Sequence, residues 1–122
     1  SENRTPSFIP LSYITDPRLR IEAYRRIAEV GTRAEADQLR LTWRDRFGPV
    51  PPAAENALTC AAIRIEASLR KIPMVEVRDD KLMLTKGDHF IMIGARFPRL
   101  TLTDTDSRLR EVLKFLENLP NR

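Results

Sequence analysis

Few residues in this chain have the type and spacing that covalent or proton chemistry requires. There is one histidine, His89, and one cysteine, Cys60. A Ser-His-Asp triad would have to use His89, which sits beside the turn Lys86-Gly87-Asp88 at the start of a strand pattern, with no nucleophile elbow to accompany it. A surface histidine is the expectation. Cys60 could act as a thiolate nucleophile, but it lies in the Ala-rich run Leu58-Thr59-Cys60-Ala61-Ala62, where a buried free cysteine is expected. One cysteine and one histidine are too few for a structural zinc site. The acidic pairs Asp79/Asp80 and Asp104/Asp106 form an acid and a base only where a pocket drives their pKa values apart. Both lie in turns or at a helix start, where aspartate is expected for local hydrogen bonding. None of the four glycines falls in a G-x-G-x-x-G or G-x-x-x-x-G-K-[ST] pattern, so no nucleotide site of those kinds is present. No catalytic, cofactor-binding or metal-binding residue is expected in this domain.

The elements that would carry these residues can be read from pattern. Residues 4–15 hold Pro6 and Pro10 among Phe8, Ile9, Leu11, Tyr13 and Ile14, and the prolines rule out a regular helix there. An extended segment packed across the domain surface, or continuing from a preceding domain, is expected. Asp16-Pro17 reads as an N-cap and first helical position. Ile21, Tyr24, Ile27 and Ala28 then recur at helical spacing, and Glu22 can pair with Arg18 and Arg26 at i±4. Gly31 closes this helix. Thr32 and Glu35 have the spacing of a capping box for a second helix, with the apolar stripe Ala36, Leu39, Trp43 and Phe47 and a stop at Gly48-Pro49. So short a connection predicts an antiparallel pair.

A third helix is predicted over about 52–71. Ala54, Leu58, Ala61, Ala62, Ile65 and Leu69 form one stripe; Cys60, Ile63 and Ala67 form another. A helix apolar on two sides lies between two layers, here the helical pair and a sheet. Period-two patterns follow at 74–78, 82–85 and 90–93, separated by turns, and predict an antiparallel meander. Residues 99–102 are a candidate edge strand, with Pro98 at its entrance. A last helix carries Leu109, Val112, Leu113 and Leu116 and ends near Asn118. The fold class is α+β: a three-helix N-terminal half packed against a small antiparallel sheet, with a C-terminal helix. One domain is expected over 1–122, with an extended opening at 1–15, a helical part at 16–72, and strands plus a helix at 73–122.

Hydrophobic residues make up 42% of the chain and charged residues 31%, an ordinary globular profile. No run reaches the roughly 18 apolar residues of a membrane span. No secretory leader opens the chain, and the lone cysteine suits a reducing cytosol, so a cytoplasmic location is expected. The opening Ser1-Glu2-Asn3-Arg4 reads as a cut from a longer protein. The net charge of +4 is mild and interleaved. It leaves open a DNA-binding accessory module using Arg18, Arg25, Arg26, Arg33, Arg40 and Arg44. On the second helix, Gln38, Leu41, Thr42 and Asp45 share a face outside the core stripe, with Arg46 near the helix end. Spacing alone allows a solvated face or a docking surface.

One long stretch is more specific. It comprises Ile9-Pro10-Leu11-Ser12-Tyr13-Ile14-Thr15-Asp16-Pro17-Arg18-Leu19-Arg20-Ile21-Glu22-Ala23-Tyr24-Arg25-Arg26-Ile27-Ala28, followed by Asp45-Arg46-Phe47-Gly48-Pro49-Val50-Pro51. Together these resemble the C-terminal domain of the bacterial transcription-repair coupling factors, from about Ile9 to Ala67. The resemblance implies a C-terminal fragment of a parent that uses ATP and magnesium to translocate on double-stranded DNA. It implies that the parent displaces stalled RNA polymerase and recruits the excision-repair protein UvrA. This domain would then be an autoinhibitory clamp without enzymatic activity of its own. It would dock on the UvrA-binding module of the same chain through charged residues at the end of the second helix. Those carry over to Asp45 and Arg46. The acidic residue that the family often has three positions earlier is Thr42 here. With Leu41, these residues define the expected docking face.

Overall fold

The computed structural model describes residues 7–121. Its elements run α1 (Pro17–Glu29), α2 (Arg33–Phe47), α3 (Pro52–Leu69), β1 (Met74–Arg78), β2 (Lys81–Lys86), β3 (His89–Phe90) and α4 (Thr105–Glu117). Four helices and one small antiparallel sheet make the expected α+β fold. The chain forms two compact units, Ser1–Ala62 and Ile63–Arg122, and the division falls inside α3.

In the first unit, the opening segment is stitched down by the residues that follow it. Pro6 and the residues before it lie outside the described part. Ile9 and Ile14 are fully buried. The Phe8 N–H donates to the Ala53 carbonyl at 3.2 Å, and the Ile9 N–H donates to the Tyr24 hydroxyl at 2.9 Å. Asp16 caps α1 by accepting from the Arg18 N–H at 2.9 Å. Thr32 and Glu35 form the expected capping box at α2. Glu35 also accepts from the Gly31 N–H at 2.9 Å. That bond, then those from Thr32, hold its carboxyl below the usual carboxylate range.

The stripe expected inside α1 is corrected. Ile21 is 69% exposed, Tyr24 is 40% exposed and Ala28 is also outside. The inner side is Ala23 and Val30, with Leu19 and Ile27 half-buried. Both stripes have helical spacing, so periodicity does not choose between them. The stripe centred on Ala23 turns inward because its small side chain lets α2 approach. Glu22 pairs with Arg25 at 3.8 Å rather than with residues four positions away. On α2, Ala36, Leu39 and Trp43 are buried as expected.

Helix α3 is buried around most of its circumference, from Ala54, Ala57 and Leu58 to Ile65 and Ala67. Two expectations on it fail. Leu69 is outside, at the last turn, and Cys60 is exposed. Cys60 interrupts a run of small residues, and that composition could not reveal which narrow strip of a nearly encircled helix stays open. Its thiol accepts from the Ser7 hydroxyl at 3.6 Å.

The second unit has strand order β1-β2-β3, all antiparallel. Val75 lies opposite Leu84 and Val77 opposite Leu82, so these four share a face. Leu82 and Leu84 are fully buried with Ile63, Ala67, Ile72, Leu100, Val112 and Leu116. Each fully buried leucine of this kind contributes roughly 2 kcal/mol. The Glu66–Arg70 pair is buried at 2.6 Å. Arg70 also donates to the carbonyls of Glu117 and Leu119, tying down the end of α4. Such a cation at a helix C-terminus satisfies carbonyls that have no partner within the helix.

The third strand is shorter than the pattern at 90–93. Gly94, at φ 62°, turns the chain back so that Ile93 and Arg96 exchange hydrogen bonds instead. The expected edge strand at 99–102 is reduced to one bridge, between Lys81 and Arg99. Pro98 has no N–H to extend a ladder, and the next donors are taken elsewhere. The Glu111 carboxylate accepts from the N–H groups of Thr101 and Leu102 and from the Thr101 hydroxyl, at 2.8–3.1 Å. Burial pushes the Glu111 carboxyl up, but these bonds outweigh it and hold the group below its usual range.

Candidate docking face on the second helix

The end of α2 is positioned by two side chains that reach it from other segments. The Tyr13 hydroxyl donates to the Gly48 carbonyl at 2.9 Å, and its ring meets Phe47 edge-on at 5.8 Å. Gly48 has φ 92°, a conformation that L side chains rarely adopt. About two turns earlier on α2, Arg40 grips Glu55 of α3 with a fork of bonds at 2.7–2.9 Å. Such a bidentate pair fixes orientation better than a point contact does. Burial, then the charge of Glu55, raises the pKa of Tyr13. Tyr13 and Phe47-Gly48 come from the two separate stretches that carry the family resemblance. They are scaffolding: they hold the α2 terminus in place.

On that held terminus, Leu41 is 47% exposed and Asp45 and Arg46 are exposed, while Thr42 is half-buried. Thr42 and Arg46 line a small groove between α1 and α2 with Leu19, Ala23 and Arg26. Its volume is about 30 Å³, roughly the space of a single water, so it cannot take a small-molecule substrate. The Arg46 guanidinium lies 5.1 Å from the Phe47 ring centroid. Leu41 and Asp45 stand one turn apart on the helix and do not line the groove. The four residues therefore divide into a pair beside the groove and a pair farther round α2. Asp45 forms no hydrogen bond or ion pair with the described residues.

The other candidates for chemistry have local explanations. Asp80 is held by Arg99 at 2.5 Å, which keeps its carboxyl below the usual range. Asp104 caps α4 through the Ser107 N–H and is lowered by that bond. Neither carboxyl is poised to donate a proton. His89 is exposed and lies 3.5 Å from Asp88. Among the described residues no three of His, Cys, Asp and Glu gather as a metal site, and no helix is long and apolar enough to cross a membrane. Sequence reasoning missed the Arg40–Glu55, Glu66–Arg70 and Glu111 contacts. Only Glu66 and Arg70, at i,i+4 spacing, left a readable signal.

The family model described as the TRCF domain matches residues 4–90. The chain is 38% identical over 64 residues to the transcription-repair-coupling factor of Haemophilus influenzae, covering 52% of this chain and 6% of that protein. It is 35% identical over 75 residues to that of Escherichia coli, covering 62% and 6%. It is 31% identical over 116 residues to that of Rickettsia prowazekii, covering 90% and 10%. The chain thus spans only 6–10% of the length of these relatives. In fold it is similar to a crystal structure of the C-terminal domain of transcription-repair coupling factor. The TM-score is 0.65 at 24% identity, over 70% of this chain and 53% of that one.

Proposed function

Because this chain belongs to the TRCF domain family, we propose that it is the regulatory C-terminal domain of a transcription-repair coupling factor and acts there as an autoinhibitory clamp. In this reading the parent is a cytoplasmic, ATP- and magnesium-dependent translocase on double-stranded DNA. It displaces RNA polymerase stalled at lesions and recruits excision repair through UvrA. The clamp carries no catalytic residue. It covers the UvrA-binding module of the same polypeptide and restrains the motor until polymerase is engaged.

The observation that carries this reading is the exposed Asp45, free of any partner among the described residues and set beside Arg46 on a helix end fixed by Tyr13. A clamp must release, so its interface must be modest. Tethering supplies a high effective concentration, and modest contacts then suffice. Charged contacts give register and salt sensitivity more than raw affinity. Release exposes the recruiting surface by a shift in populations. The direct test is truncation: the parent lacking residues 1–122 should capture more UvrA and hydrolyse ATP faster than the intact protein. Equal capture and equal turnover would reject the clamp.

The arrangement does not favour the DNA-binding alternative. Arg40 gives its guanidinium to Glu55, and Arg25 lies beside Glu22. Two of the six arginines invoked for phosphate contact are thereby engaged with carboxylates.

A further inference from the structure

Strand β1 is the outermost strand of the sheet order β1-β2-β3. The Leu82 N–H donates to the Pro98 carbonyl, and the Leu84 carbonyl accepts from the Ile91 N–H, so these two residues of β2 bond away from β1. Main-chain groups alternate in direction along an antiparallel strand. Lys81, Met83 and Thr85 therefore bond toward β1, to their partners Arg78, Glu76 and Met74. That leaves the N–H and C=O groups of Val75 and Val77 pointing out of the sheet at its edge. Such a row of donors and acceptors is a template for another strand. The edge is open to one: Val77 is 40% exposed although it shares the core-side face of the hairpin with Leu82.

We propose that this edge pairs with the same edge of a second copy of the chain, antiparallel and about a two-fold axis. Charge selects both the occupant and the register. Only registers that set outward-bonding residues opposite one another form a ladder. Centring on Val75 sets Val77 opposite Pro73, which has no N–H. Centring on Glu76 or on Arg78 sets two like charges face to face, which is unfavourable. Centring on Val77 sets Glu76 of each copy opposite Arg78 of the other, so Glu-Val-Arg is complementary to itself. Neither side chain forms an ion pair with the described residues. Asp79, at φ 55°, ends the strand, and its carbonyl accepts from Arg108. The ladder is thus short, a Val77 pair between two Glu–Arg rows, and the dimer is weak and reversible.

Sedimentation velocity of this chain over a rising concentration series should show a monomer–dimer equilibrium. Amide exchange at Val75 and Val77 should slow in step with it. Glu76→Arg makes both rows repulsive and should weaken the dimer about ten-fold, as should Arg78→Glu. A mixture of these two variants regains opposite charges across the edge, so it should associate as wild type does although neither variant does alone. The double exchange, Glu76→Arg with Arg78→Glu, should behave like wild type too. A chain that stays monomeric throughout, or a dimer that Glu76→Arg leaves intact, would overturn the proposal. So would folded single variants whose mixture stays monomeric. Asp45→Arg on α2 should leave the dimer unchanged, so the clamp and this pairing can fail separately.

Discussion

Replacing Tyr13 with phenylalanine isolates the bond that positions the end of α2. The ring and its edge contact with Phe47 at 5.8 Å remain. What is lost is the hydroxyl donated to the Gly48 carbonyl at 2.9 Å. A half-buried neutral hydrogen bond of this kind contributes about 1 kcal/mol net, which lowers the melting temperature of a chain this size by about 4 °C. The variant also carries a pH signature. Burial raises the Tyr13 pKa above 10.0 in the folded state. A raised acid stabilises the fold fully below its unfolded pKa, and that contribution disappears as pH rises through the folded value. The difference between wild type and Tyr13→Phe should therefore be constant at neutral pH and narrow above about pH 10. Calorimetry from neutral to alkaline pH measures both. No loss of stability at neutral pH, or a gap that widens with alkali, would refute the assignment of Tyr13 as the anchor of this helix end.

Arg70→Ala should destabilise the chain by about 3 kcal/mol, because it strands buried Glu66 and frees the carbonyls at the end of α4; urea unfolding measures this, and Glu66→Leu with Arg70→Met should recover most of the loss. Lys71 adopts φ 58° just after α3, with Ile72 donating back to Ala67, so Lys71→Gly should stabilise by about 0.5–1 kcal/mol in the same assay. Cys60 is exposed, so a thiol reagent should modify it in the native state at a rate that added denaturant barely changes.

The capping chemistry of α1, α2 and α4 was legible because a cap needs only neighbours in sequence: Asp16-Pro17, Thr32 with Glu35, and Asp104 all act as their spacing indicates. The meander was legible for the same reason, through alternation at 74–78 and the turns that follow. What could not be read depended on distant partners. The choice between two equally periodic stripes on α1 follows from which one α2 approaches. The failure of 99–102 to become a strand follows from Glu111, about ten residues away. The proposed docking face divides similarly. Its exposure at Asp45 and Arg46 could be read from the stripe they do not belong to. The Tyr13 and Arg40 anchors that hold the helix end could not, because each joins residues 15 or more positions apart.

The clamp is tested most directly by reversing charge on its proposed face in the full-length parent. Tyr13 and Arg40 fix the backbone there, so Asp45→Arg and Arg46→Glu change the surface and leave the fold intact. Loss of one exposed charge contact is worth about 1 kcal/mol, which corresponds to a roughly five-fold shift toward the open form. Both variants should then bind UvrA more tightly and hydrolyse ATP faster, by a factor of that order. Unchanged UvrA affinity and unchanged ATPase in both variants would contradict the assignment.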